Sequence, residues 1–230
     1  MLVQRWQDCA FLHWRYPPHI VRPHVPSSLD LDLLEGKAWV SSTTFAVPHM
    51  RLGPLPPVPG MRSGAESNLR TYVVDRAGRR GLWMLAMDFT PLPAVVAGRF
   101  PFLLPYWWAA IDVDRTSDIV RYSVERRPPG RSEMRLHVSI GDARRPEDLT
   151  ARDRFLTSRW LLFEGVDPVL FSVVTNHEPW ALHDATVVGL QQTVLSNAGL
   201  PKPDSPPIVH FSDGVLARIG PPTPVPGGGG

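Results

Sequence analysis

Proline does more than any other residue to limit what this chain can fold into. There are 26 prolines among 230 residues, and they cluster. Pro54, Pro56, Pro57 and Pro59 fall within Leu52–Gly60, Pro91, Pro93, Pro101 and Pro105 punctuate a second region, and Pro201–Pro207 mark a third. Proline fixes φ and removes the donor that a ladder or helix interior needs. These clusters are therefore expected to be loops between short elements. The end, Gly220–Gly230 (GPPTPVPGGGG), is expected to be a disordered Pro/Gly tail.

Between the prolines, period-two alternation dominates. Met134, Leu136, Val138 and Ile140 alternate with Arg135, His137 and Ser139, the pattern of a half-buried strand. Ile119–Glu125 sets Val120, Tyr122 and Val124 against Arg121, Ser123 and Glu125. Ala38–Val47, Gly81–Phe89 and Val169–Thr175 are rich in β-branched and aromatic residues, and Leu69–Val74 places Arg70 and Tyr72 on the same face. Ile208–Phe211 and Val215–Ile219 read as a hairpin around Ser212-Asp213-Gly214. Helical signals are fewer: a short piece within Pro17–Val25, a start at Pro146-Glu147-Asp148 running on to Phe155-Leu156, and Leu190–Asn197 stopped by Gly199. Many strands with few helices point to an α+β protein, a mainly antiparallel curved sheet, cone or barrel with a few covering helices. No break in pattern marks a second domain, so residues 1–219 are expected to form one.

Composition excludes several classes of function. Hydrophobic residues are 43% and charged residues 20%, as in a globular protein. The net charge is only +2, and no run of five like charges occurs, so neither nucleic acid nor a membrane surface is an expected partner. Only Lys37 and Lys202 are lysines, which leaves little amine chemistry. Cys9 is the only cysteine; it excludes an internal disulfide and reads as a small buried apolar residue. Arg5 and Asp8 interrupt the start, so no signal peptide is expected, and no apolar run is long enough for a membrane span. The expected compartment is the cytoplasm. A second copy of the chain is an admissible partner.

Chemistry concentrates in Gly64–Tyr72. Strand residues two apart share a face, so Glu66, Asn68, Arg70 and Tyr72 would form one polar row. Facing solvent, the row is a surface with a weak ion pair. Facing a cavity, its groups must pair with each other or with a ligand. Arg70 then suits an anionic oxygen and Glu66 proton transfer. In Gly98–Trp108, three adjacent aromatics, Tyr106, Trp107 and Trp108, read either as core or as a pocket wall. The histidines show no metal spacing, and His177-Glu178-Pro179-Trp180 resembles a zinc-protease motif only superficially, so no metal or cofactor is expected. A Gly-x-Ser-x-Gly elbow and a Gly-rich phosphate loop are both lacking.

Seven short pieces carry a resemblance. They are Phe11-Leu12-His13-Trp14 with Val25-Pro26, Gly36-Lys37-Ala38-Trp39-Val40, Glu66-Ser67-Asn68-Leu69-Arg70-Thr71-Tyr72-Val73, Leu104-Pro105-Tyr106, Phe155-Leu156-Thr157-Ser158-Arg159-Trp160, His177-Glu178-Pro179-Trp180 and Phe211-Ser212-Asp213-Gly214-Val215. In this order they resemble the YqjF-like family of uncharacterised bacterial proteins, whose usage has Glu where Ser158 stands. That family is similar in turn to the acetoacetate decarboxylase superfamily, which implies a β-cone or barrel around a buried pocket. The decarboxylases carry Gly-Arg-Glu and, seven residues after the Gly, Pro-Lys-Lys. Here Gly98-Arg99 and Pro105 match, but Tyr106 and Trp107 replace the two lysines. By the same resemblance Glu66 falls on a pocket glutamate.

Schiff-base chemistry needs an amine, so decarboxylation of the parent type is not expected. The leading expectation is a small-molecule-pocket protein, a lyase- or isomerase-type enzyme acting on a keto or carboxylate substrate. Glu66 and Arg70 are its catalytic candidates, with Asn68, Tyr72, Tyr106 and Trp107 as ligand contacts. The rival is a non-catalytic binding or sensing protein in which Glu66 and Arg70 pair structurally. A third option is an interaction module built on an exposed apolar patch.

Overall fold

The computed structural model describes residues 1–53, 60–100, 104–167 and 169–225. Among them, thirteen strands join in one sheet. In chain order these are β1 (Leu2–Tyr16), β2 (Leu29–Leu31), β3 (Ala38–Leu52), β4 (Gly64–Asp75), β5 (Arg80–Phe89), β6 (Tyr106–Thr116) and β7 (Ile119–Arg126). There follow β8 (Glu133–Ala143), β9 (Leu161–Val166), β10 (Val169–Asn176), β11 (Leu182–Gln192), β12 (Ile208–Ile219) and β13 (Thr223–Pro224). The helices are short: α1 (Pro18–Val21), α2 (Leu92–Arg99), α3 (Ala151–Thr157) and α4 (Val194–Asn197). None of them is long and apolar enough to cross a membrane.

Pairing runs from β5 through β6, β7, β8, β11, β12, β1, β3 and β4 back to β5. The β11–β12 junction has two paired residues on each strand and the parallel β5–β6 junction three, so the ring is unevenly sealed. Inside it, Leu12, Trp14, Val40, Leu69, Tyr122, Leu136 and Phe211 share the largest apolar cluster. A smaller one, on the other face of β1, β3 and β4, holds Cys9, Phe11, Phe45, Val47 and Phe89. The cavity lies on this second face.

Several local expectations change in the tertiary context. Ser212-Asp213-Gly214 is not a hairpin turn: β12 runs straight through it, paired with β1 along its length. Gly214 has φ +123°, and a Cβ there would stand 1.9 Å from the Trp6 carbonyl oxygen. The glycine is needed because β1 is itself irregular here, with Asp8 at φ +51° and register shifts on both sides of Gln7 against β3. The helix expected over Leu190–Asn197 keeps only its last turn, because Leu190, Gln191 and Gln192 pair with β8. The helix expected from Pro146 is a 3-10 turn, and α3 restarts at Thr150, whose hydroxyl accepts from the Asp153 amide while the Asp153 carboxylate accepts from the Thr150 amide.

Pro91 and Pro93 do not make a loop. They start α2, where a first-turn residue has no intrahelical N–H partner to lose. Residues 220–225, expected in the disordered tail, lie along β10: Gly220 and Val225 donate to the carbonyls of Val174 and Leu170, and Thr223–Pro224 forms β13. The rest of that tail, 226–230, and the proline loop 54–59 lie outside the described residues.

Candidate active site

Alternation along β4 separates two environments. Leu69 points into the largest apolar cluster, while Glu66, Asn68 and Arg70 line a cavity of about 460 Å³. Two irregularities aim further side chains at the same space. On β5 the register against β4 slips, so that Ala86 pairs Leu69 but Met84 pairs Arg70. The extra residue, Leu85, reverses the alternation, and Leu82 and Met84 then face the cavity together with Met87 and Phe89. On β1 the irregularity at Asp8 has the same effect: Gln4 and Trp6 line the cavity although Cys9 and Phe11 beyond it pack on that same side.

Glu66 is buried, 5% exposed. Asn68 Nδ2 donates to its Oε1 at 2.9 Å, and Oε2 has no partner among the described residues. Burial pushes its pKa up to about 7, against the opposing pull of Asn68 and Arg70. Asn68 Oδ1 and Arg70 Nε are buried without partners. Arg159, also on the lining, meets Asp32 at 2.9 Å, a carboxylate it shares with Arg80 at 2.7 Å. Arg70 has no carboxylate within ion-pair distance among the described residues, which leaves its charge directed at the cavity.

Tyr106 and Trp107 part company because adjacent strand residues point to opposite faces. Tyr106 lines the cavity. Its ring is fixed by α2, since a Cβ on Gly98 would stand 2.4 Å from it. Burial, and then the charges of Glu66 and Glu164, push the Tyr106 phenol well up, so it stays a hydrogen-bond donor. Trp107 lies outside the cavity, between the guanidinium groups of Arg99 and Arg126, at 5.2 and 4.9 Å from its ring.

Tyr72 shares the face of Arg70 but lies beyond the cavity, fully buried. Its hydroxyl donates to the Leu156 carbonyl at 2.7 Å and meets Ser41 Oγ at 2.7 Å. Ser41 in turn meets His13 Nδ1 at 2.6 Å. This phenol belongs to a buried polar chain behind Arg70. The expected ligand set is thus split: Glu66, Asn68, Arg70 and Tyr106 line the cavity, while Trp107 lies off the lining and Tyr72 meets Arg70 from behind it. Both lysines are exposed and absent from the lining. The lone cysteine, Cys9, is buried, and burial first, with Asp8 next, pushes its thiol well up.

Other lining groups were not singled out as site residues by sequence. Glu164 on β9 is 3% exposed, and neither carboxyl oxygen has a partner. Burial alone pushes its pKa up to about 7. The only sequence signal is a single acid after the apolar run Leu161-Leu162-Phe163. His177 also lines the cavity; its Nδ1 donates to the Glu178 carbonyl at 2.7 Å, and burial lowers its pKa, so Nε2 is the acceptor. Around it stand Trp180, Trp6 and Trp160, with ring centroids at 4.8, 5.7 and 5.9 Å. The segment that superficially resembled a zinc-protease motif thus supplies an aromatic wall. Among the described residues, no group of three or more His, Cys, Asp or Glu is placed to hold a metal ion.

The model of the DUF2071 family, described as an uncharacterized conserved protein, matches residues 3–216. The chain belongs to the DUF2071 family. Within curated proteins it is 32% identical over 211 residues to the uncharacterized protein YqjF of Bacillus subtilis (strain 168), covering 91% of this chain and 86% of that one. The YqjF-like resemblance of its motifs is therefore real.

Solved structures show the fold that this DUF2071 chain shares. An acetoacetate decarboxylase-like enzyme from Sphingomonas wittichii RW1 superposes with a TM-score of 0.69 at 14% identity, over 97% of this chain and 92% of the other. The enduracididine biosynthesis enzyme MppR, complexed with the condensation product of pyruvate and imidazole 4-carboxaldehyde, gives 0.70 at 11% identity, over 97% and 89%. Acetoacetate decarboxylase from Legionella pneumophila (subsp. pneumophila str. Philadelphia 1) gives 0.63 at 16% identity, over 97% and 87%. The decarboxylase-like fold expected for this DUF2071 protein is the fold it has.

Proposed function

We propose that the cavity binds a carbonyl-containing carboxylate and that Glu66 moves a proton at the carbon beside the carbonyl, as a lyase or isomerase does, without a Schiff base. The observation that carries this reading is the placement of Glu66, steered by Asn68, beside Arg70 in a cavity lined by no lysine. A carboxyl titrating at about 7 is divided between acid and base at neutral pH and serves in both directions. With Oε1 held by Asn68, Oε2 is the oxygen that meets the substrate. When the carboxylate takes the proton, the C–H electron pair forms the carbon–carbon double bond of an enolate. The negative charge moves to the carbonyl oxygen, where the Arg70 cation and the Tyr106 phenol stabilise it. Where the enolate is conjugated with a further carbon–carbon double bond, return of the proton to the far end of that system completes an isomerisation. Loss of a β-hydroxyl as water, protonated by the acid form of Glu66, completes a dehydration. MppR, of the same fold, is known complexed with pyruvate, which supports a 2-oxo acid as the substrate class.

The test is deuterium exchange at C3 of 2-oxo acids, followed by NMR. The unmodified protein should catalyse exchange, and Glu66→Gln should lose at least a hundredfold while still binding. Borohydride added during turnover should trap no adduct; a covalent adduct would overturn the Schiff-base-free mechanism. Tight binding with no exchange in the unmodified protein would instead establish a binding or sensing role.

A further inference from the structure

The cavity is larger and softer than a short keto acid requires. Its roughly 460 Å³ is the volume of about fifteen waters. A pyruvate-sized acid, even allowed a water's share of volume for each heavy atom, fills less than half of it. Of the chain's six methionines, Met1, Met50, Met61, Met84 and Met87 line this one space. Methionine is flexible and polarisable, and its concentration at one surface suits an apolar guest of variable shape.

The polar groups leave this apolar surface a defined direction. The Arg70 guanidinium stands 5.8 Å from the centroid of Phe11, and Phe11 meets Trp180 edge-on at 5.0 Å. Trp180 lies 6.0 Å from Trp6 with the rings 14° apart, and Trp6 is 5.1 Å from Phe45. Trp6 Nε1 donates to Gln4 Oε1 at 2.7 Å, and Gln4 Nε2 donates to the Met50 sulfur at 3.2 Å. The Trp6 indole and the Gln4 amide thus donate within the wall, and the ring face of Trp6 is what it offers a guest. Trp180, Trp6, Phe45 and Met50 form an aromatic-to-methionine wall of the cavity, tied to Arg70 through Phe11 behind the lining.

We propose that the occupant is an amphipathic acid: its carboxylate and carbonyl head lies at Arg70 and Tyr106, and an aliphatic or aryl tail bringing it to about eight carbons or more lies along Trp180, Trp6, Met50, Met84 and Met87. This rests on the reading that the head-group site is built for a 2-oxo acid, and it adds the tail. A short acid would leave the wall in contact with water, while a long one buries it. Each buried methylene contributes about 0.8 kcal/mol, so two of them tighten Kd by roughly tenfold.

The test is isothermal titration of the unmodified protein with pyruvate, 2-oxooctanoate, phenylpyruvate and octanoate. Binding of 2-oxooctanoate and phenylpyruvate at least a hundredfold tighter than pyruvate is the expected result. Trp180→Ala should weaken only the long-tailed acids, whereas Arg70→Gln should weaken all of them alike. Equal affinity for pyruvate and 2-oxooctanoate in the unmodified protein overturns the tail, whether or not the variants fold, and leaves the head-group chemistry standing. Octanoate binding as tightly as 2-oxooctanoate, with no deuterium exchange in any 2-oxo acid, upholds the tail and removes the keto-acid reaction.

Discussion

Replacing Glu164 by Gln should flatten the pH dependence of the protein's stability. Glu164 is a clean probe because its shift has one cause: the carboxyl is buried at 3% exposure, and no charge or hydrogen bond offsets that burial. Burial moves its pKa from 4.5 to about 7 in the folded chain. Between these values the folded state binds a proton that the unfolded state has released. Stability from this group is therefore fully present below pH 4.5 and is lost as pH rises through 7. At about 1.4 kcal/mol per pH unit, the loss amounts to about 3 kcal/mol. For a chain of this size that corresponds to roughly 6–12 °C in Tm. Gln keeps the shape and cannot ionise, so the difference in unfolding free energy between Glu164→Gln and the unmodified protein should grow by that amount from pH 5 to pH 8. Urea denaturation at unit pH intervals reads the difference directly, and any constant offset from the amide cancels. Parallel curves would show that Glu164 is already ionised in the folded protein at pH 6, and the account of its burial would be wrong.

Two further predictions concern how the site is held. Gly214→Ala should cost upwards of about 3 kcal/mol by urea unfolding, because the new Cβ meets the Trp6 carbonyl at 1.9 Å and φ is +123°; an effect below about 1 kcal/mol would mean that β12 rearranges there at little cost. Arg126→Ala should cost about 3–5 kcal/mol, since it leaves the buried Asp88 carboxylate without the guanidinium that meets it at 2.6 and 3.0 Å. Adding Asp88→Asn should recover part of that loss, and no recovery would place the cost in the packing of Arg126 on Trp107.

Local physics made much of this protein legible without a structure. Alternation identified β7 and β8, because a strand with unlike faces writes its period into the chain regardless of its neighbours, and β-branched and aromatic composition identified β3, β5 and β10. The two-residue repeat of a strand put Glu66, Asn68 and Arg70 on one face, and they share it. It also bore on Trp107: if Tyr106 faces inward, the next residue faces out, and reading three aromatics as one wall overlooked this. The lack of a usable lysine is likewise a property of the sequence alone.

Other features depended on contacts between segments distant in the chain. A polar row says nothing about how far the cavity extends, and Tyr72 falls outside it because Ser41, His13 and Leu156 claim its hydroxyl. The irregularities at Asp8 and Leu85 reverse face parity, so Trp6 and Met84 reach the cavity against the pattern set further along their strands. Ser212-Asp213-Gly214 has turn chemistry, yet pairing with β1 carries β12 through it. Glu164 has no motif around it, and its pKa comes from the burial of a lone carboxyl on β9. Strand identity and facing are short-range and survive in a single sequence. Burial, pairing register and the groups that meet across a cavity are set by segments tens of residues apart, and only the folded chain brings them together.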